Sequence, residues 1–316
     1  MNAMNGVGTM NAMNGVGTMN TAPINPISTP SISSAAMLVE VSISTWTGRK
    51  LDKRASDDIT QQNYAAKGVI NANKKLLGNC AELDAVIKFA SGVRNSNYSM
   101  TMPWSDTGPR LLPTAQYFKY HQQMTAFKAE FERLTQVFIA AYDWEITQAQ
   151  AVLGDLFNPD DYPTVDSLHS KFAFRLNYIP LPDAGDFRID INNEAKAELI
   201  SHYQQYYEAQ FNGAMTDVWQ RTYKALNTLS KQCDWRDGDE TRKRMHASVF
   251  DNAMDLVDLL KVCNITNDTQ MEAMRAKLED TLRGITCEAL KDDEHLRMET
   301  KRELDQIIKS LPSLDM

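Results

Sequence analysis

Cysteine and histidine are scarce in this chain and poorly spaced for chemistry. The four cysteines, Cys80, Cys233, Cys263 and Cys287, form no CxxC pair. That excludes a disulfide scaffold or a zinc ribbon and fits a reduced, intracellular protein. The five histidines show no HxH, HxxxH or HExxH spacing. No GxxxxGKS/T or GxGxxG loop and no GxSxG elbow occurs, so the common nucleotide folds and hydrolase chemistry lose their main support. No window approaches the ~18 consecutive apolar residues of a transmembrane helix. Cations are in deficit: 33 Lys and Arg against 41 Asp and Glu leave a net charge of −8. That argues against a protein whose task is neutralising phosphates, so nucleic acid is not expected as the main ligand, nor a membrane.

Charge is missing altogether from the first 36 residues. MNAMNGVGT at 1–9 is repeated unchanged at 10–18, Met19-Asn20 begins a third copy, and Pro23, Pro26 and Pro30 break any regular element. Such a segment cannot bury enough surface to offset its ordering entropy, so residues 1–36 are expected to be a disordered tail. They also lack the basic residues and apolar core of a secretory signal.

Ordered patterning begins at Met37. Val39, Val41, Ile43 and Thr45 alternate with Glu40, Ser42 and Ser44, the period of a half-buried strand. Phe172 to Ile179 and Phe187 to Ile191 alternate similarly across a Pro- and Gly-containing connection. They read as a loose hairpin, completed by the first strand into a three-stranded sheet.

The rest reads as helix. From Ala115 to Leu153 apolar residues fall at Tyr117, Tyr120, Met124, Phe127, Phe131, Leu134, Phe138 and Ala141, steps of three and four that make a heptad seam. Further helices are expected over Ser56–Ala90 (interrupted at Gly68 and Gly78), Glu194–Ser230, Thr241–Val262 and Glu299–Leu311. Asn267 with Gln270 reads as a capping box opening another. Ser91 to Pro113, with Gly92, Pro103, Gly108 and Pro109, is the longest expected loop. The predicted architecture is α+β, mainly α: long antiparallel helices with a small three-stranded antiparallel sheet. Residues 37–191 form a sheet and long-helix domain, and 192–316 a helical region packed on it.

Chemistry-bearing groups are few. Asp292, His295 and Glu299 stand three and four apart, a spacing that shares one helix face and suits a divalent ion. Lys291, Arg297, Lys301 and Arg302 are interleaved with them, so a solvated, salt-bridged surface is the expectation, with no metal and no cofactor. Asp234 to Glu240 and Asn158 to Pro163 read as turns. The most pointed feature is Trp46-Thr47-Gly48-Arg49-Lys50, where a strand ends in a large aromatic, turns on glycine and presents cations. Trp46, Gly48, Arg49 and Lys50 are therefore the candidate partner-binding residues, since aromatic and Arg anchors favour interface hot spots.

Val41 to Lys50, with Phe172-Ala173-Phe174-Arg175-Leu176 after a long helix, resembles a phage-associated family, domain of unknown function 3150. The resemblance spans roughly Leu38 to Ile191. It implies a non-catalytic partner of a MoxR-type AAA+ ATPase and a von Willebrand factor A protein, acting in the infected host's cytoplasm or carried in the virion. It supplies no catalytic residue. The alternative expectation is a structural protein that self-assembles through its heptad helix into a ring, tube or virion component.

Overall fold

The computed structural model describes residues 33–106, 108–181, 193–240, 243 and 245–312. Residues 1–32 of the expected tail and the expected strand at 187–191 lie outside these. The first half runs β1 (Ala36–Ser44), β2 (Arg49–Leu51), α1 (Lys53–Gln62), β3 (Asn73–Lys75), α2 (Ala81–Met100) and β4 (Arg110–Pro113). It continues with α3 (Tyr117–Leu153), α4 (Val165–His169) and β5 (Ala173–Ile179). Then come α5 (Asn193–Cys233), α6 (Ala247–Cys263), α7 (Thr269–Leu282), α8 (Cys287–Asp292) and α9 (Glu294–Ser310).

The mainly helical α+β architecture is as the patterning implies, and among the described residues one strand of its sheet comes from a segment expected to be loop. β1 lies at the centre of a three-stranded antiparallel sheet of order β4-β1-β5. Leu38 pairs with Leu111 on one side and Ile179 on the other. β4 comes from the expected 91–113 loop, whose first part is also regular: helix α2 continues to Met100. The expected helix over 56–90 is instead two helices, α1 and α2, separated by strand β3, which pairs antiparallel with β2 so that α1 lies within their connection. Ala36, assigned to the tail, is a buried first residue of β1.

β1 carries apolar side chains to both faces at its start. Met37, Val39, Val41 and Ile43, with Leu112, Phe174, Leu176 and Tyr178, join the core built by α2 and α3. Ala36 and Leu38, with Leu111, join the core of α5 to α9. Further along, Glu40, Ser42 and Ser44 occupy that second face and are exposed. The sheet is thus covered on one face along its length and on the other only at one end.

α3 follows its heptad seam. Tyr120, Met124, Phe131 and Phe138 are buried, and the 37-residue helix is about 55 Å long. It is antiparallel to α2: Tyr120 donates to Asn97 at 2.7 Å, Gln123 donates to Ser96 at 3.1 Å, and the Phe127 and Phe89 rings meet edge-on. α5 and α9 are antiparallel as well, since Ser230 donates to Asp305 while Arg297 donates to the Trp235 carbonyl. α5 docks on the first half through Arg221, which donates to the Ser99 and Thr101 carbonyls, and through Tyr207 against Trp104. The cap of α7 is Asp268, one residue beyond the expected Asn267; its carboxylate accepts from Gln270 and Met271 N–H.

One arginine anchors the C-terminal core. Arg297 is fully buried and donates to the carbonyls of Trp235, Leu290 and Lys291 and to Asp237 Oδ1. Its guanidinium lies 3.4 Å from the Trp235 ring centroid. The expected 234–240 turn is therefore tied to the last carbonyls of α8 by a charge with partners on several sides.

Candidate functional site

The Trp46–Lys50 turn is held on its inner side by the fold. Trp46 turns inward: its ring centroid is 6.1 Å from Phe138 and 5.8 Å from Tyr142, edge-on to the latter. It anchors the end of β1 on α3. Gly48 is buried with φ +61°, and a Cβ there would stand 2.7 Å from Leu83 Cδ2. The left-handed backbone favours glycine, and a Cβ would in addition push the end of the Leu83 side chain aside. Its carbonyl accepts from Leu76 N–H at 2.7 Å, extending the β2–β3 pairing.

Lys50 opposes Lys74 directly across the β2–β3 pairing, a repulsive pair on its own. Asp161 resolves it. One carboxylate oxygen meets Lys50 Nζ at 2.6 Å and the other meets Lys74 Nζ at 2.7 Å, with the Asp161 side chain only 5% exposed. Burial works to raise this carboxyl, but the lysine hydrogen bonds outweigh it and hold it below the ordinary aspartate value. Lys74 also donates to the Leu156 carbonyl, and the Tyr162 hydroxyl donates to Leu76 O at 2.6 Å. The segment after α3 therefore clamps the β2–β3 pair. Arg49 is exposed and has no ion pair among the described residues. Of the four candidates, it is the one left facing outward with its charge available.

Beneath this turn lies a cavity of about 500 Å³. Arg49, Lys75 and Asp84 stand at its rim; Gly48, Leu77, Cys80 and Leu83 are the buried residues of its lining. Cys80 is the N-cap of α2, its Sγ accepting from Leu83 N–H at 3.5 Å. Glu82 Oε2 is 3.7 Å from that sulfur. Glu145 reaches the same place from α3, and one ligand atom from each of Cys80, Glu82 and Glu145 lies within 4.8 Å of the others. Burial pushes the Cys80 thiol up to about 11, and the Glu145 and Glu82 carboxylates add to the rise. Among the described residues this is the only such group of three or more metal-ligating side chains. Spacing along the chain hides it, because 65 positions separate Cys80 from Glu145; only the antiparallel α2–α3 pairing joins them.

Asp292, His295 and Glu299 are not brought together. α8 ends at Asp292 and α9 begins at Glu294 with Asp293 as its cap, so the helical spacing that places all three on one face does not apply. The His295 side chain is 90% exposed, with Nδ1 3.9 Å from Glu299. A second cavity, about 610 Å³, lies among α2, α3, α5 and α6. Lys119, Arg221 and Lys224 face Asp255 and Asp258 around it, and Gln116 Oε1 is buried without a hydrogen bond. No helix among the described residues is long and apolar enough to cross a membrane, and all four cysteines are free and buried.

Comparison with protein-family models, with curated proteins and with solved structures finds no match.

Proposed function

We propose that the chain is a non-catalytic adaptor or assembly factor that works by binding another protein. Its setting is the one implied by the resemblance of its first half: a MoxR-type AAA+ ATPase with a von Willebrand factor A partner, in a phage-infected bacterium. The observation that supports this reading is the outward face of α3. Val137, Trp144 and Val152, seven and eight residues apart, share that face, with Trp144 62% and Val152 71% exposed. Ala140, Gln148 and Ala151 fill the same stripe and are also exposed, so no charge interrupts it. An uncharged face centred on tryptophan, on a rigid helix, has the composition of an interface core. Arg49 adds an exposed cation for an acidic partner.

Self-assembly into a ring, tube or virion component is the alternative and would use the same face. Light scattering of the eluted native protein over roughly a hundredfold range of concentration separates the two. A constant small mass is the expected result. A large particle of fixed stoichiometry would refute the adaptor reading in favour of the structural one.

A further inference from the structure

We propose that Cys80, Glu82 and Glu145 bind one divalent cation of the zinc or cadmium class, with the remaining coordination positions turned toward the cavity beneath the Trp46–Lys50 turn. This goes beyond the adaptor reading and does not rest on it. Two observations carry it independently. The first is the convergence of a thiol and two carboxylates, all within 4.8 Å, from two helices. Ligands at tetrahedral zinc, with bonds of 2.0–2.3 Å, lie ~3.3–3.8 Å apart. The Cys80–Glu82 separation of 3.7 Å already falls in that range. Closing the others to it takes roughly 1 Å, within the reach of a glutamate side chain.

The second observation is Glu145 itself. It is 9% exposed, it is directed at the Cys80 sulfur from mid-α3, and among the described residues it has no hydrogen bond or ion pair. Buried carboxylates are ordinarily paired or bound to metal, because an uncompensated buried charge is expensive. Lysines and arginines satisfy that need elsewhere, as Lys50 and Lys74 do for Asp161. At Glu145 the ligating neighbours are the Cys80 thiol and the Glu82 carboxylate, and a single divalent cation would bind all three.

The donor set selects the class of ion. Magnesium and calcium favour all-oxygen shells, whereas a thiolate with two carboxylates suits a borderline or softer metal. Three protein ligands leave a position for water or an incoming ligand, and Cys80 lines the cavity that supplies access. Binding forms a sulfur–metal bond as the thiol S–H bond breaks, and that proton passes to solvent water. The bound ion fastens the first turn of α2 to α3, next to the β2–β3 pair that Asp161 clamps.

The test uses the full chain, stripped with a chelator and titrated with cadmium ion alone. The readouts are stoichiometry and thiolate-to-metal charge-transfer absorption in the ultraviolet. One equivalent with a charge-transfer band is expected. Cys80→Ser keeps a capping oxygen for Leu83 N–H and so preserves the fold, and it should abolish the band. Glu145→Gln and, separately, Glu82→Gln should keep the band while weakening affinity by about tenfold or more. Absence of a stoichiometric band overturns the proposal, as does a band that survives in Cys80→Ser. Unchanged affinity in Glu145→Gln, with circular dichroism showing a folded chain, overturns it equally.

Discussion

Replacing Arg297 with alanine removes a charge that the C-terminal core is arranged around. The side chain is fully buried and makes its hydrogen bonds at 2.8–3.2 Å to three carbonyls and one carboxylate. Two of those carbonyls, Leu290 and Lys291, lie in the last turn of α8. They lose this donor in the variant, while the Trp235 ring loses the guanidinium on its face. Each buried acceptor left unsatisfied costs roughly 1–3 kcal/mol. The Asp237 link contributes less, because that side chain is 58% exposed. With partial refilling by water the loss should be about 4 kcal/mol, inside the range for breaking a buried charge network. Arg297→Lys should recover little of it, because one ammonium cannot reach the Trp235 carbonyl and the end of α8 together. Asp237→Asn should cost under about 1 kcal/mol. Urea unfolding followed by circular dichroism and by tryptophan fluorescence measures all three variants. A loss below about 1 kcal/mol for Arg297→Ala, or full rescue by lysine, would refute the reasoning.

Other perturbations address the turn and the α2–α3 pair. Gly48→Ala should lower stability by about 2–3 kcal/mol, through a left-handed backbone and a clash with Leu83, and thermal melting reads the loss. Tyr120→Phe leaves the buried Asn97 carbonyl oxygen without its donor and should cost about 1–2 kcal/mol by the same assay. Asp161 has a folded-state value below its unfolded one, so its stabilising effect is present above about pH 4 and is lost as pH falls through the folded value. The melting-temperature gap between the native chain and Asp161→Asn should therefore hold from about pH 7 to 5 and close on further acidification; a gap as wide at about pH 2 as at pH 7 contradicts this.

Elements whose burial repeats within one segment were legible in the sequence. α3 is one: Tyr120, Met124, Phe131 and Phe138 of its heptad seam are buried, although toward the C-terminus the buried line moves on to Thr135, Tyr142 and Ala149. β1 is another, since its alternation matches the face that meets α2 and α3. What stayed hidden depends on distant partners. Arg110–Pro113 is too short and too flanked by Gly and Pro to signal a strand, and pairing with β1 makes it one. Ser91, Gly92, Asn95, Ser96, Asn97 and Ser99 are weak helix formers, yet α2 continues through them because Val93 is buried and Asn97 bonds Tyr120. Tertiary packing overrides propensity there. At the candidate site, the strand-end aromatic and the turn were visible as residues, but their roles were not. Trp46 proved to be an anchor and Lys50 a partner of Asp161, which the sequence shows only as part of a turn. The Cys80, Glu82 and Glu145 group is a product of helix pairing, with no spacing signal of its own.

The central claim is that the uncharged outer face of α3 is covered by another protein. Its most direct test is calorimetric titration of the full chain with a purified MoxR-type AAA+ ATPase, the partner class proposed above, using the native chain and Trp144→Ser. Because Trp144 lies outside both cores, the substitution should leave the melting temperature unchanged. Saturable binding by the native chain, weakened about tenfold or more by the substitution, is the expected result. No binding, or binding indifferent to Trp144, would contradict the account.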